Sequence, residues 1–466
     1  MEFSLTIPNL FPQLQYLCKK KSIAVKLPSN KDIWNLSYPI ILSLLAENMI
    51  NVTDTIFLAR VGEADLGASA IGGTFYVLLF IIGLGFSIGT QIIISRRLGE
   101  NKPEEVGSVF EVSVLFLMIA ALLLFIVVHL FFAPIFSHIL SSPEVFEKTS
   151  LYIKYRVYGL FFTYIGCSFR AFYTGIFRTR YLAINSVILA SVNVVFAYIL
   201  IFGKLGFPAM GIAGAAIATV IAEFVSVVYY VIVTWTVIDL KRYRLFQKKT
   251  YEWHTIYSIL DVSGFIILQH VLSLASWFTF FVVIEQRGQH QLAITNIVRS
   301  IYIFLMIPGW AFGSATSTMV SNIIGQGNLE GVIPLIRKIT KLCFISMTVL
   351  VLPSALFPTQ LLSLFSSDTL LIHQSLPSFY MVVIALIIFS LTMNFYNGVT
   401  GTGNTRISML IELVGIILYL ITVYVVVIAF KAPLAMAWLS EAEYFLVIFI
   451  LSYFYLKKGN WRRKII

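Results

Sequence analysis

Long apolar runs separated by short polar stretches dominate the chain. A spanning helix needs roughly 20 mainly apolar residues, and that template fits twelve runs: about 33–59, 68–94, 107–133, 151–176, 181–203, 210–238, 255–284, 290–322, 336–358, 374–398, 407–430 and 433–457. Lipid cannot satisfy backbone polar groups and the runs are too long for barrel strands, so the pattern predicts helices. The expected fold is an all-α integral membrane protein with twelve transmembrane helices.

Composition agrees with the pattern. The chain is 59% apolar and 12% charged, whereas soluble domains are about 45–50% apolar and about a quarter charged. The formal net charge of +11 comes from basic residues in short runs between apolar segments, so it points to membrane topology and not to nucleic acid. Assigning alternate loops to opposite sides puts 24 Lys and Arg with the two termini and seven on the other side; Arg170 and Arg299, inside spans, complete the 33. The positive-inside rule then places both termini in the cytoplasm, in a cell (inner) membrane protein. The central loop DLKRYRLFQKKTYEW, with five basic residues, is the strongest single cue. Cys18, Cys167 and Cys343 are far apart and lack a nearby His cluster, so no disulfide framework, metal or other cofactor is expected. The lead-in carries Lys19, Lys20 and Lys21 but lacks the ordered regions of a cleavable signal.

The basic loop divides two similar halves. Shifting the chain by 226 residues lays GEADLGASAIGGTFYVLLFIIGLGFSIGTQIIISRRLGENKPEEV on GQHQLAITNIVRSIYIFLMIPGWAFGSATSTMVSNIIGQGNLEGV without a gap. A second echo pairs AFYTG at 171–175 with NFYNG at 394–398. Six helices precede each return, so the halves have the same orientation and form a parallel repeat about an axis along the membrane normal. The expected organisation is a cytoplasmic segment (1–32), a first lobe (33–238), a basic linker (239–254), a second lobe (255–458) and a cytoplasmic tail (459–466). The two lobes are pseudo-symmetric six-helix bundles, and the chain is read as a monomer in contact with membrane lipid.

The stretches DTIFLARVGEADLGASA, ISRRLGENKPEEV, YILIFGKLGFPAMGIAGAAIATVIAE and GVTGTGNTR, in that order, resemble the multidrug and toxic compound extrusion (MATE) family of cation-coupled efflux transporters. They run from the first span to the start of the eleventh. GIFRTRYL departs from the pattern by lacking the turn that the second half keeps as GlyAsnThrArg at 403–406. The resemblance implies a central cavity between two lobes, export of bulky and often cationic organic compounds, and return flow of protons or sodium ions.

The stretch ENMINVTDTIFLARVGEADLG holds the candidate chemistry. Helical spacing of 100° per residue puts Glu47, Asn51 and Asp54 on one narrow face. A carboxylate near mid-bilayer costs about 2.5–3.5 kcal/mol on insertion scales, so two of them need a partner, a proton or water. The resemblance makes Asp54 the cation-responsive group. It also points to the fifth span, where Asn193 matches one family position and Ala197 departs from the other. Losing that oxygen ligand weakens a sodium site, while a Glu47–Asp54 couple sharing a proton would suit proton coupling. Protons are therefore favoured over sodium. In the second half Gln269, His270, Arg299, Asn394 and Asn397 are candidate cavity residues; neither the seventh nor the tenth span has a mid-helix carboxylate. Glu412, Glu441 and Glu443 lie near span ends, where reaching headgroups is the default, and Arg170 is placed to snorkel in the same way. Pro39 and Pro308 are candidate hinges.

Three functions compete. A cation-coupled antiporter fits the acidic face. A flippase for lipid-linked saccharide precursors would carry several cavity Arg or Lys, whereas only Arg170 and Arg299 lie within spans. An intramembrane enzyme would need a nucleophile–base pair or twin aspartates at helix depth, and the chain has no such motif.

Overall fold

The computed structural model describes residues 27–247, 253–365 and 368–463. Residues 1–26 of the lead-in, with Cys18, five residues of the basic linker and the last three of the tail lie outside this description. Fourteen α-helices follow one another, and no strand occurs among the described residues: α1 (Asn30–Ala59), α2 (Glu63–Gly99), α3 (Pro103–Ile139), α4 (Pro143–Arg156), α5 (Gly159–Gly175), α6 (Arg180–Phe202), α7 (Gly211–Val237), α8 (Trp253–Glu285), α9 (Gln289–Gly325), α10 (Val332–Leu356), α11 (Pro358–Leu362), α12 (Thr369–Gly401), α13 (Thr405–Tyr424) and α14 (Leu434–Lys458). Eleven of them are long and apolar enough to cross a membrane. The expected fourth span is present as α4 and α5, split at Val157 and Tyr158.

Local signals set the helix ends. Ser29 and Asp32 form a reciprocal capping box at the start of α1. Pro103 and Pro143 open α3 and α4, where the missing N–H is harmless. Glu63 and Asp65 place negative charge in the first turn of α2, Arg96 and Arg97 positive charge in its last. Pro39 and Pro308 lie inside α1 and α9, and neither interrupts its helix. The breaks fall elsewhere: at Val157–Tyr158, and at a π-helical turn, Val425–Ala429, that ends α13.

The 226-residue offset recurs in three dimensions. Ser95 Oγ donates to the Thr318 carbonyl at 2.8 Å and Ser321 Oγ to the Ile92 carbonyl at 2.7 Å. Thr179 Oγ1 donates to the Asn35 carbonyl and Thr405 Oγ1 to the Asp261 carbonyl. Each bond maps onto the other when 226 is added. The cores follow the same rule. Ile33 and Leu36 of α1 pack into the core of the second lobe, and their counterparts Ile259 and Val262 of α8 into that of the first.

α2 and α9 cross where they end, on the face at which α1 begins and α14 ends, termed here the proximal face. Among the described residues, the hydrogen bonds joining these two helices fall within 91–96 and 314–322. A Cβ on Gly99 would stand 2.1 Å from the Asn322 carbonyl oxygen, and one on Gly325 2.4 Å from that of Arg96. Only glycine permits so close a crossing of two backbones. The lobes are thus joined tightly on the proximal face.

Candidate functional site

Two polar clusters occupy the first lobe. One is centred on Arg156, the last residue of α4. Its guanidinium is buried, grips Glu223 of α7 in a bidentate pair at 2.6 and 2.9 Å, and lies over the Tyr76 ring of α2 at 3.6 Å. A Cβ on Gly159 would stand 2.2 Å from Arg156 Nη1 and 2.3 Å from Glu223 Oε2, so a side chain there would displace the pair. Asp54 of α1 adjoins this pair, with the Asn193 amide of α6 facing its carboxylate and Arg156 acting on it electrostatically. Asn193 is fully buried; its Nδ2 donates to Thr219 Oγ1 at 3.0 Å, and Thr219 spends its own proton on the Ala215 carbonyl. Asp54 Oδ1 and Asn193 Oδ1 are both buried with no donor.

The other cluster holds Glu47. Arg170 of α5 pairs with it at 3.1 Å, Ser43 Oγ donates to it at 3.3 Å, and Ser43 and Ser186 share a hydrogen bond. Arg170 therefore turns inward to a carboxylate, where the sequence suggested snorkelling. The Glu47–Asp54 couple is not formed: each has its own neighbours, and seven helical residues separate them by about 10 Å. Asn51 is exposed and joins neither cluster; at 60° round the helix from Asp54 it falls off the edge packed against α6.

In the second lobe, Asn394 is not a cavity residue. It is fully buried, accepts from Thr316 Oγ1 at 3.0 Å and donates to the Ser390 carbonyl at 2.9 Å. Asn397 bonds within its own helix, to the Met393 carbonyl, against Gly313. Gln269 is buried with an unpartnered Oε1. His270 is half-buried with no hydrogen-bond partner among the described residues. Arg299 lies over the Phe281 ring at 4.8 Å and makes no ion pair among the described residues. Glu412 and Glu441 are not near headgroups: they are 5% and 2% exposed, held by tyrosine hydroxyls.

The MatE family model matches residues 39–199 and again 266–425. The chain belongs to this family. The two matched blocks start 227 residues apart, so the MatE repeat and the internal repeat coincide. A relative in Thermotoga maritima named "Probable multidrug resistance protein NorM" is 24% identical over 93% of both chains. One of the same name in Agrobacterium fabrum is 26% identical over 67% of this chain and 69% of that one. A solved structure titled as the outward-facing conformation of a multidrug resistance MATE family transporter superposes with a TM-score of 0.85, at 18% identity, over 93% of this chain and 97% of that one.

For a MatE chain, the sequence reading missed Arg156 and Glu223. In the sequence Arg156 stands near the distal mouth of the fourth span, and a break that tucks it under Tyr76 has no apolar signature. The available clue was Gly159, three residues on, together with a mid-helix glutamate in the sixth span that needed a cation.

Proposed function

We propose that this multi-pass MatE transporter is a proton-coupled antiporter that exports bulky organic cations by alternating access, with Asp54 as the group that exchanges proton for cargo. The carrying observation is the charge balance around Asp54. Arg156 is already matched by Glu223 in a bidentate pair, which is the strong form of such contacts. Asp54 is therefore the supernumerary carboxylate of its cluster. A proton on it supplies the donor that Asp54 Oδ1 and Asn193 Oδ1 lack, and removes the charge that would attract a cationic cargo. Proton and cargo then exclude each other at one residue, which is the requirement for exchange. The names of the relatives, multidrug resistance proteins, support the cargo class. The excess of Lys and Arg in the proximal loops supports cytoplasmic termini in the cell membrane.

Proteoliposomes loaded with a fluorescent organic cation test this reading. An imposed proton gradient should drive the dye uphill, a sodium gradient alone should not, and Asp54→Asn should abolish uphill movement in protein that remains folded and inserted. Uphill transport by Asp54→Asn at the wild-type rate, or drive by sodium alone, would overturn it.

A further inference from the structure

The second lobe carries a buried acidic network that the transport reading above does not use. Glu412 lies about two turns into α13 from the proximal face, and Glu441 about two turns into α14 from the opposite, distal one. Glu412 accepts from Tyr396 of α12 at 2.5 Å and from Tyr444 of α14 at 3.2 Å, and Ser273 of α8 also faces it. Glu441 accepts from Tyr302 of α9 at 3.0 Å, with Trp277 of α8 and Tyr419 of α13 turned toward it. The rings of Tyr419 and Tyr444 are 5.8 Å apart, so two tyrosines in ring contact stand between the two acids.

No Lys, Arg or His stands among these neighbours. Arg299 is engaged with Phe281, and His270 acts on neither carboxylate. An ionised carboxylate buried without a cation is strongly disfavoured. A second, independent sign comes from the surrounding donors. The Tyr419 hydroxyl is 2% exposed and directed at Glu441, yet it completes no hydrogen bond; Trp438 Nε1, fully buried beside it, is also unpartnered.

The internal repeat places this network opposite the Asp54 site. Adding 226 to Tyr76, which lies under Arg156, gives Tyr302, which holds Glu441. Adding it to Asp54 gives Phe280, whose ring packs 5.3 Å from Trp438 and 6.0 Å from Tyr419. Glu223 and Glu441 sit on α7 and α14, the sixth spans of their lobes. The second lobe thus keeps the tyrosine seat and an acid on the equivalent helix, without the arginine.

We propose that Glu412 and Glu441, with Tyr444 and Tyr419 packed between them, form a proton-binding site in the second lobe, separate from Asp54. A proton needs one lone pair, which each carboxyl retains. A sodium ion needs several oxygen ligands free to face it, whereas the hydroxyls of Tyr396, Tyr444 and Tyr302 spend their protons on the carboxylates and Trp277 offers Glu441 no oxygen. The proposal holds whether or not Asp54 couples transport.

Infrared difference spectra of the full chain in lipid nanodiscs, taken between acid and alkaline pH, test it. The wild type should lose a protonated-carboxyl carbonyl band as pH rises, equally in sodium and potassium. Glu412→Gln and Glu441→Gln should each remove part of that band, and the double variant should remove both parts while retaining the part that Asp54→Asn removes. Tyr419→Phe keeps both acids, so the band should keep its size. A wild-type band in the double variant, or displacement of the band by sodium at fixed pH, would overturn the proposal. Loss of the Asp54 contribution alone would bear on the transport reading and leave this one standing.

Discussion

Arg156 is the residue on which the first lobe depends most. Its pair with Glu223 has side chains 8% and 12% exposed, and removing one partner of such a pair leaves a buried charge uncompensated at about 3–5 kcal/mol. Arg156→Ala should therefore lower the thermal unfolding midpoint in detergent markedly. Replacing both partners, Arg156→Met with Glu223→Leu, should recover most of that loss, because two apolar side chains leave no stranded charge. The Glu47–Arg170 pair is more open, at 35% and 22% exposure, so Glu47→Gln should shift the same midpoint much less, by about 1 kcal/mol or below. Equal shifts for the two substitutions would contradict the ranking. The spacing of Glu47 and Asp54 was legible in the sequence. Their surroundings were not, because Arg170 and Arg156 lie more than a hundred residues away from Glu47 and Asp54 respectively and only packing brings them in.

At the scale of elements, the crossing of α2 and α9 is the feature with the sharpest consequence. A methyl group on Gly99 or Gly325 would meet backbone, which cannot rotate aside as a side chain can. Gly99→Ala and Gly325→Ala are expected to loosen the proximal junction and to raise maleimide labelling of a cysteine placed at Ser314, read in a Cys18→Ser background. The native Cys167 and Cys343 are buried. Because the two glycines are 226 residues apart, the effects should match in direction and approximate size. An effect of one without the other would show that the junction is not symmetric. Both glycines stand in the repeat and were visible as identities. Their role at a helix crossing depends on the crossing point, which periodicity does not specify.

For the whole molecule, the expected orientation makes a sided prediction. Leu205 is 82% exposed in the distal connection between α6 and α7, and Arg242 is exposed in the proximal linker. In intact cells a membrane-impermeant maleimide should label Leu205→Cys readily, and Arg242→Cys only after permeabilisation, again without Cys18. The reverse pattern would invert the reading of the basic loops and with it the direction of export.

Length, apolarity and the 226-residue echo were sufficient for the class of fold, because a bilayer admits few spanning structures and a repeat states its own period. The acidic face of α1 was likewise plain, since 3.6-residue geometry is local. Tertiary structure alone decided which acids are paired: Glu47 with Arg170, Glu223 with Arg156, and no ion pair among the described residues for Asp54, Glu412 or Glu441. Charge pairing is a matter of side chains meeting from different helices. A chain that is nearly all helix says where each residue points round its own axis, but not which neighbour stands opposite.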